Sequence, residues 1–580
     1  MKASSLMHKY LPILEWLPNY KKTNLSGDLS AGITVGIMLI PQGMAYAMLA
    51  GLEPIHGLYA VTIPLILYAI FGTSRQLAVG PVAMVSLLTA AGIGALNPSS
   101  PEQYLLFALT LAFLVGLIQF GMGVLRFGFV VNFLSHPVIN GFTSAAAIII
   151  GLSQIKHLFK IDLPRSEHIQ DMLVGIFHTI GDTHWITFGI GVLGIVIIKF
   201  GKKIHKSLPT PLIAVVVGIL LVWGFDLTNS GVLVLGEVPS GLPTLSSPSF
   251  DMDTWSTLLP IAITISLVGF AESFAVAKTI QGKHKNYKLD ANQELIGLGM
   301  ANFGAAFFKG YPVTGGFSRT AVNDQSGAKT ALASIFSVIL IVLTLLFFTQ
   351  LFYYLPNSIL AAVVLVAVSG LIDFKTPKQL WKKDRTDFLL LMATFLITLT
   401  LGIEIGIISG MLLSLIAMIY RASNPHIARL GRVPGSQVFR NVNRFSNLED
   451  RKDLLVIRID GPIYFANVAF VKKQLEQWVE DKRSELKTIV LNFESITSLD
   501  SSGAHELEDW IKDWRAAGFN TCITSAKGPV RDVLYRWNIH KLIGEDNIFI
   551  DDSSAIDFYD NNNKERIEKL ASYAHQRKES

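Results

Sequence analysis

Residues 311–327 read YPVTGGFSRTAVNDQSG, and this stretch decides which fold the rest of the chain must have. It lies in a region apolar enough to be membrane, yet it carries Ser318 and Arg319. The glycine pair before them lets the backbone change from extended to helical, so a helix beginning at Phe317 would leave its first N–H groups free. A helix N-terminus inside a bilayer, with an arginine on its first turn, is suited to bind an anion.

The composition places most of the chain in a membrane. The 580 residues are 51% hydrophobic and 16% charged, whereas ordinary soluble domains carry roughly a quarter charged residues. Between residues 30 and 422, apolar runs follow one another, and many are long enough to cross a bilayer, which takes ~20 residues. The single Cys522 excludes an internal disulfide framework, and the net charge of +5 is too small to indicate a nucleic-acid partner.

Hydropathy predicts fourteen membrane spans, of which the tenth is short and polar. They lie near residues 31–50, 57–72, 79–96, 104–124, 129–150, 185–201, 210–225, 256–278, 288–306, 317–327, 331–350, 357–372, 386–402 and 404–421. Most Lys and Arg residues in the loops fall on one side of this arrangement, which is typical of the cytoplasmic side. Both termini are therefore predicted to be cytoplasmic.

The spans divide into two sets of seven, at about 31–225 and 256–422. Because each half has an odd number of spans, the second half crosses in the opposite orientation, and any repeat is inverted. The halves correspond where the third span begins, at Val79-Gly80-Pro81-Val82, and where the tenth begins, at Gly315-Gly316-Phe317-Ser318. Matching glycine-interrupted segments indicate a transporter's site near the middle of the membrane, and ordinary kinked helices are the alternative.

A soluble domain at 453–560 follows the membrane part, after a polar linker at 423–452. Strand-like and helix-like patterns alternate in it, which predicts a small α/β domain with a mostly parallel sheet. Within it, Asp500-Ser501-Ser502-Gly503 forms a loop that opens a helix. A cytoplasmic lead at 1–29 and a charged tail at 561–580 complete the predicted organisation.

Several motifs resemble those of the sulfate permease (SulP) family. They are PQGMAYA at 41–47, AGL at 50–52, GLY at 57–59, FGTSR at 71–75, Gly80-Pro81, Pro137-Val138 with Gly141-Phe142, and GRVP at 431–434. The soluble domain resembles a STAS domain, whose DSSG-type loop matches residues 500–503. The likeness covers nearly the whole chain, which thus resembles a bacterial relative of prestin and pendrin.

The resemblance implies a polytopic α-helical membrane protein with a seven-plus-seven inverted repeat and a C-terminal cytoplasmic STAS domain. A core domain of spans 1–4 and 8–11 would move against a gate domain of spans 5–7 and 12–14, usually in a dimer. In related bacterial regulators the STAS loop is phosphorylated on serine. Asp500, Ser501 and Ser502 are therefore candidate regulatory residues, with a helix-capping turn as the alternative.

The candidate substrate site combines groups from both halves. Its members are Gln42, Tyr46, Val82, Ala83, Phe317, Ser318 and Arg319. A charge in mid-membrane costs ~2.5–3.5 kcal/mol even on lenient scales, so the arginine should face a cavity or a partner. The alternative role for Arg319 is a structural ion pair with Asp324 or Glu272.

The remaining members would complete an anion pocket. Gln42 and Tyr46 lie one turn apart on the first span and share a face, and the resemblance implies that both line the pocket. Ordinary packing is the alternative for the tyrosine. Ser318 would donate its hydroxyl and backbone N–H, beside the N–H of Phe317, while Val82 and Ala83 would offer N–H groups from the opposite helix.

Glu272 is the candidate for binding a coupling ion. It lies in the first span of the second half, as Gln42 does in the first. A buried carboxylate can take up a proton near neutral pH, which would let it carry a proton together with the substrate. It could instead help to hold sodium with backbone oxygens, or act as a fixed partner of Arg319.

The sequence therefore predicts a secondary active transporter of a small inorganic oxyanion, most simply sulfate, working by alternating access with proton coupling. Sodium-coupled bicarbonate transport, proton-coupled dicarboxylate transport, an anion channel and a transport-linked sensor are the alternatives. The chain has no GxxxxGK[ST] motif, no nucleophile–base constellation and no metal-ligand cluster. We therefore predict that transport is not driven by ATP and that the protein is not an enzyme. No metal and no cofactor are predicted.

The predicted function also implies binding partners and a cellular location. The predicted partners are a small anion, a coupling proton or sodium, the lipid bilayer, a second copy of the chain and a cytoplasmic protein that binds the STAS domain. The predicted location is the inner membrane of a bacterium.

Overall fold

The computed structural model describes residues 10–129, 135–163, 169–204, 209–284 and 287–561. The chain divides into two compact units, with the boundary between Ser414 and Leu415. The predicted charged tail lies outside the described residues, apart from its first residue.

Helices form nearly all of the first unit, because a membrane offers no water to the polar groups of an open backbone. In chain order the elements up to the boundary helix are α1 (Ile13–Trp16), α2 (Leu25–Leu49), α3 (Pro54–Tyr59), α4 (Ile63–Phe71), β1 (Val79–Gly80), α5 (Ala83–Gly94), α6 (Pro101–Val124), α7 (His136–Ser153), α8 (Ile155–Phe159), α9 (Ile169–Thr179), α10 (Trp185–Ile204), α11 (Thr210–Gly224), α12 (Met252–Lys283), α13 (Ala291–Phe307), β2 (Thr314–Gly315), α14 (Phe317–Gln325), α15 (Leu332–Leu343), α16 (Asn357–Ser369), α17 (Lys375–Lys383), α18 (Arg385–Leu401) and α19 (Ile403–Ser423). Short 3-10 or π turns cover Lys22–Asn24, Ile180–Asp182, Thr344–Phe348 and Thr349–Phe352.

Each of the fourteen predicted spans overlaps a helix of this first set. Within the described ranges, seven helical runs are long and apolar enough to cross a membrane. An eighth is added if the bent pair 169–182 and 185–201, whose axes meet at 119°, is one span. The many-helix fold is therefore confirmed, whereas the number of fourteen crossings stays a prediction.

Two of the predicted spans are much shorter than a bilayer is thick. The helix α5 has 12 residues and α14 has 9, so at 1.5 Å per residue they extend ~18 Å and ~14 Å. The apolar core of a bilayer is ~30 Å thick. Each helix can therefore cover only about half of the membrane, and the predicted helix start at Phe317 is confirmed.

Extended segments precede both short helices and pair with each other. Strands β1 and β2 run antiparallel, with Val79 opposite Gly315 and Gly80 opposite Thr314. The third and tenth predicted spans therefore meet at their interruptions. This contact between the two halves brings the starts of α5 and α14 close together.

Buried side chains satisfy further backbone groups beside this crossing. Asn302 exchanges two hydrogen bonds with Val313: its amide oxygen accepts from the backbone N–H at 2.8 Å, and its Nδ2 donates to the carbonyl oxygen at 3.0 Å. The hydroxyl oxygen of Ser273 accepts the Gly315 N–H at 2.7 Å. The broken backbone thus has partners although it lies in an apolar unit.

A buried carboxylate of the first half holds a turn of the second half. Asp28, on α2, is fully buried and accepts the backbone N–H groups of Lys329 at 2.6 Å and Thr330 at 3.0 Å. It also accepts from the Thr330 hydroxyl at 2.7 Å and from the Tyr20 hydroxyl at 3.2 Å. These bonds fix the turn just before α15 against the start of α2.

A buried carboxylate of the second half likewise holds a turn of the first half. Glu294, on α13, is fully buried and accepts the backbone N–H groups of Thr73 at 2.7 Å and Ser74 at 3.0 Å. The hydroxyl groups of Thr73 and Tyr68 donate to it at 2.6 and 2.7 Å. The turn that leads from α4 to β1 is therefore fixed from the opposite half.

The second unit is an α/β domain. Its elements after α19 are β3 (His426–Arg432), β4 (Phe439–Asn441), β5 (Leu454–Asp460), α20 (Val468–Lys482), β6 (Thr488–Asn492), α21 (Ser501–Ala516), β7 (Asn520–Thr524), α22 (Gly528–Arg536), α23 (Ile539–Ile543), β8 (Ile548–Phe549) and α24 (Asp552–Asn561), with a 3-10 turn at Glu545–Asn547. The strand order is β4-β3-β5-β6-β7-β8. Strands β5 to β8 are parallel to one another, and β3 and β4 are antiparallel. The prediction of a mostly parallel sheet is confirmed.

The centre of this sheet is buried on both faces. All five residues of β6, TIVLN, are buried, as expected for a parallel strand covered by helices on both sides. Strands β3 and β4 lie within residues 423–452, the segment predicted as a linker, and β3 pairs with β5.

We expect Gly57→Ala to destabilise the membrane unit. A Cβ at this position would lie 2.0 Å from the carbonyl oxygen of Gly43, so α2 and α3 would have to move apart. Overpacking of this kind costs ~1–3 kcal/mol, and we expect a lower midpoint of thermal unfolding in detergent. Gly121→Ala on α6 is the matched control, because nothing lies within 4 Å of the added carbon. Equal midpoints for the two variants would contradict the close approach.

Candidate functional site

The two short helices begin without side-chain caps. Neither Gly316, before α14, nor Val82, before α5, caps its helix through a side chain. The first bond into α14 runs from the N–H of Thr320 to the Gly316 carbonyl, and that into α5 from Ser86 to Val82. The N–H groups of the first turns are therefore available to a ligand, as predicted for Phe317.

Arg319 is buried and only partly bonded. Its side chain is 2% exposed. Its Nη1 donates to the carbonyl oxygen of Pro81 at 2.6 Å, which links α14 to the start of α5. Its Nε and Nη2 have no hydrogen-bond partner in the described part of the chain. A guanidinium with two unsatisfied nitrogens is a strong potential ligand for an oxyanion.

The alternative of a fixed ion pair for Arg319 is not observed. Asp324 instead contacts Lys283 at 3.3 Å and makes a short hydrogen bond with His284. One carboxylate oxygen of Glu272 is buried and has no hydrogen-bond partner among the residues that the structure describes. Among the described residues, no ion pair joins either carboxylate to the guanidinium.

A cavity of about 400 Å³ is lined by Glu272 and by Phe317, the first residue of α14. One of its walls comes from the start of α5, from α12 and from the start of α14. The other wall comes from α7, from the turn between α16 and α17, and from α19. These two sets of helices belong to different predicted domains, the core and the gate. The cavity is thus positioned where a relative movement of the two would open or close it.

The predicted residues occupy different depths around this cavity. Glu272 and Phe317 line it, and Phe317 is 52% exposed. Ser318 is exposed as well. The other members are buried and do not line the cavity; they are Gln42, Tyr46, Val82, Ala83 and Arg319.

Two of the buried members carry polar atoms that have no hydrogen-bond partner among the described residues. Nε and Nη2 of Arg319 are two such atoms. The amide oxygen of Gln42, on α2, is also buried and has no partner in the part of the chain that the structure describes. Several of the predicted site residues therefore have buried polar atoms that remain available for hydrogen bonding.

Two parts of the chain match known protein families. Residues 25–394 match the sulfate permease family, and residues 446–555 match the STAS domain. The chain belongs to the sulfate permease family.

The relatives of this family member span most of its length. Sulfate transporter 4.1, chloroplastic, of Arabidopsis thaliana is 39% identical over 568 residues, which are 95% of this chain and 82% of that protein. High affinity sulfate transporter 2 of Stylosanthes hamata is 32% identical over 94% of this chain and 86% of its own.

Solved structures share the family fold. The structure of SLC26A9 superposes with a TM-score of 0.89 at 25% identity, covering 99% of this chain and 96% of that one. The transmembrane domain of the cyanobacterium bicarbonate transporter BicA gives 0.60 at 23% identity, over 68% of this chain and 98% of that one, and shows the fold alone. The helical membrane fold with a C-terminal STAS domain is confirmed.

The second wall of the cavity, from α7 and the α16–α17 turn, carries polar groups that were not predicted from the sequence. Asn140 donates to Asp373 at 2.9 Å, and the hydroxyl of Thr376 donates to the same carboxylate at 2.5 Å. With the N–H of Lys375 also donating, these bonds hold the pKa of Asp373 well below its usual range. Asn140 could have been noticed as an amide within an apolar helix, whereas its partner lies more than two hundred residues away.

The STAS loop forms a helix cap. One carboxylate oxygen of Asp500 accepts the N–H of Gly503 at 2.8 Å, and the other accepts the N–H of Phe465 at 2.9 Å. This geometry is the helix-capping turn that was given as the alternative to a regulatory role for the loop. Ser501 is exposed and Ser502 half-buried, and their regulatory role stays a prediction.

Gly316→Ala should disturb the arginine without breaking the fold. The added Cβ would lie 2.7 Å from Nη2 and 2.9 Å from Cζ of Arg319. Because the guanidinium is enclosed and bonded to Pro81, it must rotate away from the unsatisfied position, and we expect about tenfold weaker anion binding. Anion titration of the purified protein measures this effect, with Gly121→Ala as control. Unchanged affinity would mean that Arg319 need not hold its observed position.

Proposed function

We propose that this protein is a secondary active transporter of a small inorganic oxyanion, sulfate, that works by alternating access. The observation that carries the proposal is the buried Arg319, with two unpartnered nitrogens at the start of a half-length helix opposite a second one. Relatives that are 32–39% identical over nearly the whole chain are named sulfate transporters, which supports the choice of anion.

The charges of the site favour a divalent anion together with a proton. Each helix N-terminus carries about +0.5 of an elementary charge, so two helix starts and one arginine give about +2. This balances sulfate when Glu272 is neutral. When Glu272 is ionised, about +1 remains, which suits a monovalent anion. We therefore propose that Glu272 takes up a proton when sulfate binds.

Seven residues would contact the anion in this proposal. Backbone N–H groups come from the two helix starts, and the guanidinium and the Ser318 hydroxyl donate from α14. Gln42 and Tyr46 close the pocket from α2. The contributors are Gln42, Tyr46, Val82, Ala83, Phe317, Ser318 and Arg319.

Movement of two groups of helices would give alternating access. The half-length helices and Glu272 form one wall of the cavity, and α7, α16–α17 and α19 form the other. The first group belongs to the predicted core domain, in which Asp28 joins α2 to the turn before α15, Glu294 joins α13 to the turn after α4, and the β1–β2 pair joins the starts of α5 and α14. We propose that it moves as one body against the second group and carries the site across the membrane.

The wider setting is also a proposal. The excess of Lys and Arg in loops of one side supports cytoplasmic termini. We further propose a homodimer, and a cytoplasmic protein as partner of the STAS domain. Location in the inner membrane of a bacterium stays a prediction, and the relatives named above are plant proteins.

Arg319→Ala should weaken sulfate binding by about tenfold or more while the protein stays folded. The variant loses one charged donor to the anion, and it also removes a buried charge that lacks a counter-ion. Sulfate titration of the purified protein, with thermal unfolding in parallel, measures both effects. Arg385→Ala, at an exposed arginine that begins α18, is the control. Wild-type affinity in Arg319→Ala would remove this residue from the site.

Labelled sulfate uptake into proteoliposomes should depend on an inward proton gradient, and Glu272→Gln should abolish that dependence. Glutamine keeps the shape of the neutral acid but carries no proton, so sulfate should equilibrate without accumulating. Glu102→Gln, at an exposed carboxylate that begins α6, is the control. Accumulation by Glu272→Gln with the wild-type pH profile would end the proton-carrier role. Absence of sulfate uptake by the wild type would redirect the assay to bicarbonate with sodium, and then to dicarboxylates.

A further inference from the structure

A second cavity, of about 210 Å³, lies apart from the candidate transport site. The N-terminal segment around α1 forms one of its walls. The others come from the turn after α4, the end of α6 and the turn before α13. The proposed transport function uses none of these residues.

Three cations line this second cavity. Arg75 follows α4, Arg126 follows α6, and Lys288 precedes α13. Arg75 lies with its guanidinium carbon 5.2 Å from the centre of the Tyr287 ring. None of the three forms an ion pair within the residues that the structure describes.

Two carboxylates in the same wall leave a positive balance. Asp290 caps α13, and its Oδ1 accepts the N–H groups of Asn292 at 2.8 Å and Gln293 at 3.0 Å. Its charge is thus directed at the helix start. Glu15, on α1, is exposed. The pocket therefore has three cations and two carboxylates, and one of the carboxylates, Asp290, is already bonded to a helix start. The remaining positive charge attracts an anion.

A residue of the same wall also carries a buried donor. Trp16 is 7% exposed, and its indole N–H is buried with no acceptor in the described part of the chain. Buried N–H donors nearly always have an acceptor, so an exception calls for an explanation. An anion oxygen in this pocket would supply one.

We propose that this pocket binds a phosphate group. Arg75, Arg126 and Lys288 would neutralise its charge, and the Trp16 indole would donate to one of its oxygens. Because α1 and the ends of three longer elements all contribute, the bound group would fasten the N-terminal segment to the rest of the unit. The same chemistry is offered by a lipid headgroup and by free inorganic phosphate.

The surroundings of the pocket favour the lipid. Val124 lines it and is 51% exposed, and the neighbouring Leu125 is 67% exposed. These apolar residues end α6, which is one of the helices long enough to cross a membrane. A lipid could therefore place its headgroup in the pocket while its acyl chains run along α6.

The test is a binding titration on the full chain in detergent, read as the shift of the thermal unfolding midpoint. All proteins carry Arg319→Ala, which weakens the proposed transport site, so that the result does not depend on the proposed function. The probes are dihexanoyl phosphatidic acid, dihexanoyl phosphatidylcholine and inorganic phosphate. The test variant replaces Arg75, Arg126 and Lys288 by Gln, and the charge-matched control replaces the exposed Lys473, Lys487 and Lys527 by Gln.

We expect phosphatidic acid to bind at least about tenfold more weakly to the test variant than to the control. Trp16→Phe, which keeps the ring and removes the donor, should weaken binding in the same direction and serves if the triple variant does not fold. Binding of phosphatidic acid without inorganic phosphate supports the lipid source, and equal binding of both supports a free anion. Affinity that is unchanged in the test variant and in Trp16→Phe, or equally reduced in the control, overturns the proposal.

Discussion

The membrane unit depends on satisfying a backbone that is interrupted twice inside an apolar environment. No water is available there, so each exposed N–H or C=O group needs a partner from the chain itself. The antiparallel pairing of β1 with β2 meets this need for both interruptions at once, and Asn302 and Ser273 satisfy groups beside it. The same pairing brings the two helix starts close together, so the solution to a folding problem also forms the candidate anion site.

The sequence predicted those parts of this arrangement that depend on short stretches of neighbouring residues. Glycines before Phe317 and near Pro81 marked both interruptions, and an arginine in an apolar region marked the site. The partners of Asp28 and Glu294 were not predictable in this way, because each carboxylate bonds to backbone N–H groups that carry no sequence signature. Asp373 was missed for a related reason: its position in a turn of the second half gives no indication that Asn140 of the first half meets it.

Each of the two walls of the cavity is fixed by hydrogen bonds of its own. The predicted core domain, which provides its first wall, is tied together by buried carboxylates, by the β1–β2 pair and by close helix contacts such as that of Gly43 with Gly57. The second wall of the cavity is fixed internally by the bonds of Asp373 to Asn140 and Thr376. Two bodies that are each well bonded, and that face each other across a space of about 400 Å³, can change their separation without losing internal hydrogen bonds.

The carboxylate of Asp28 has a consequence for how the chain is made. Its partners at Lys329 and Thr330 lie 301 and 302 positions later. At ~5–20 residues per second, a ribosome needs roughly 15–60 s to reach them. Throughout that interval Asp28, in the first turn of α2, lacks its donors from the second half, so its carboxylate needs other partners such as water at the membrane surface. Completion of the fold is therefore tied to synthesis of the second half.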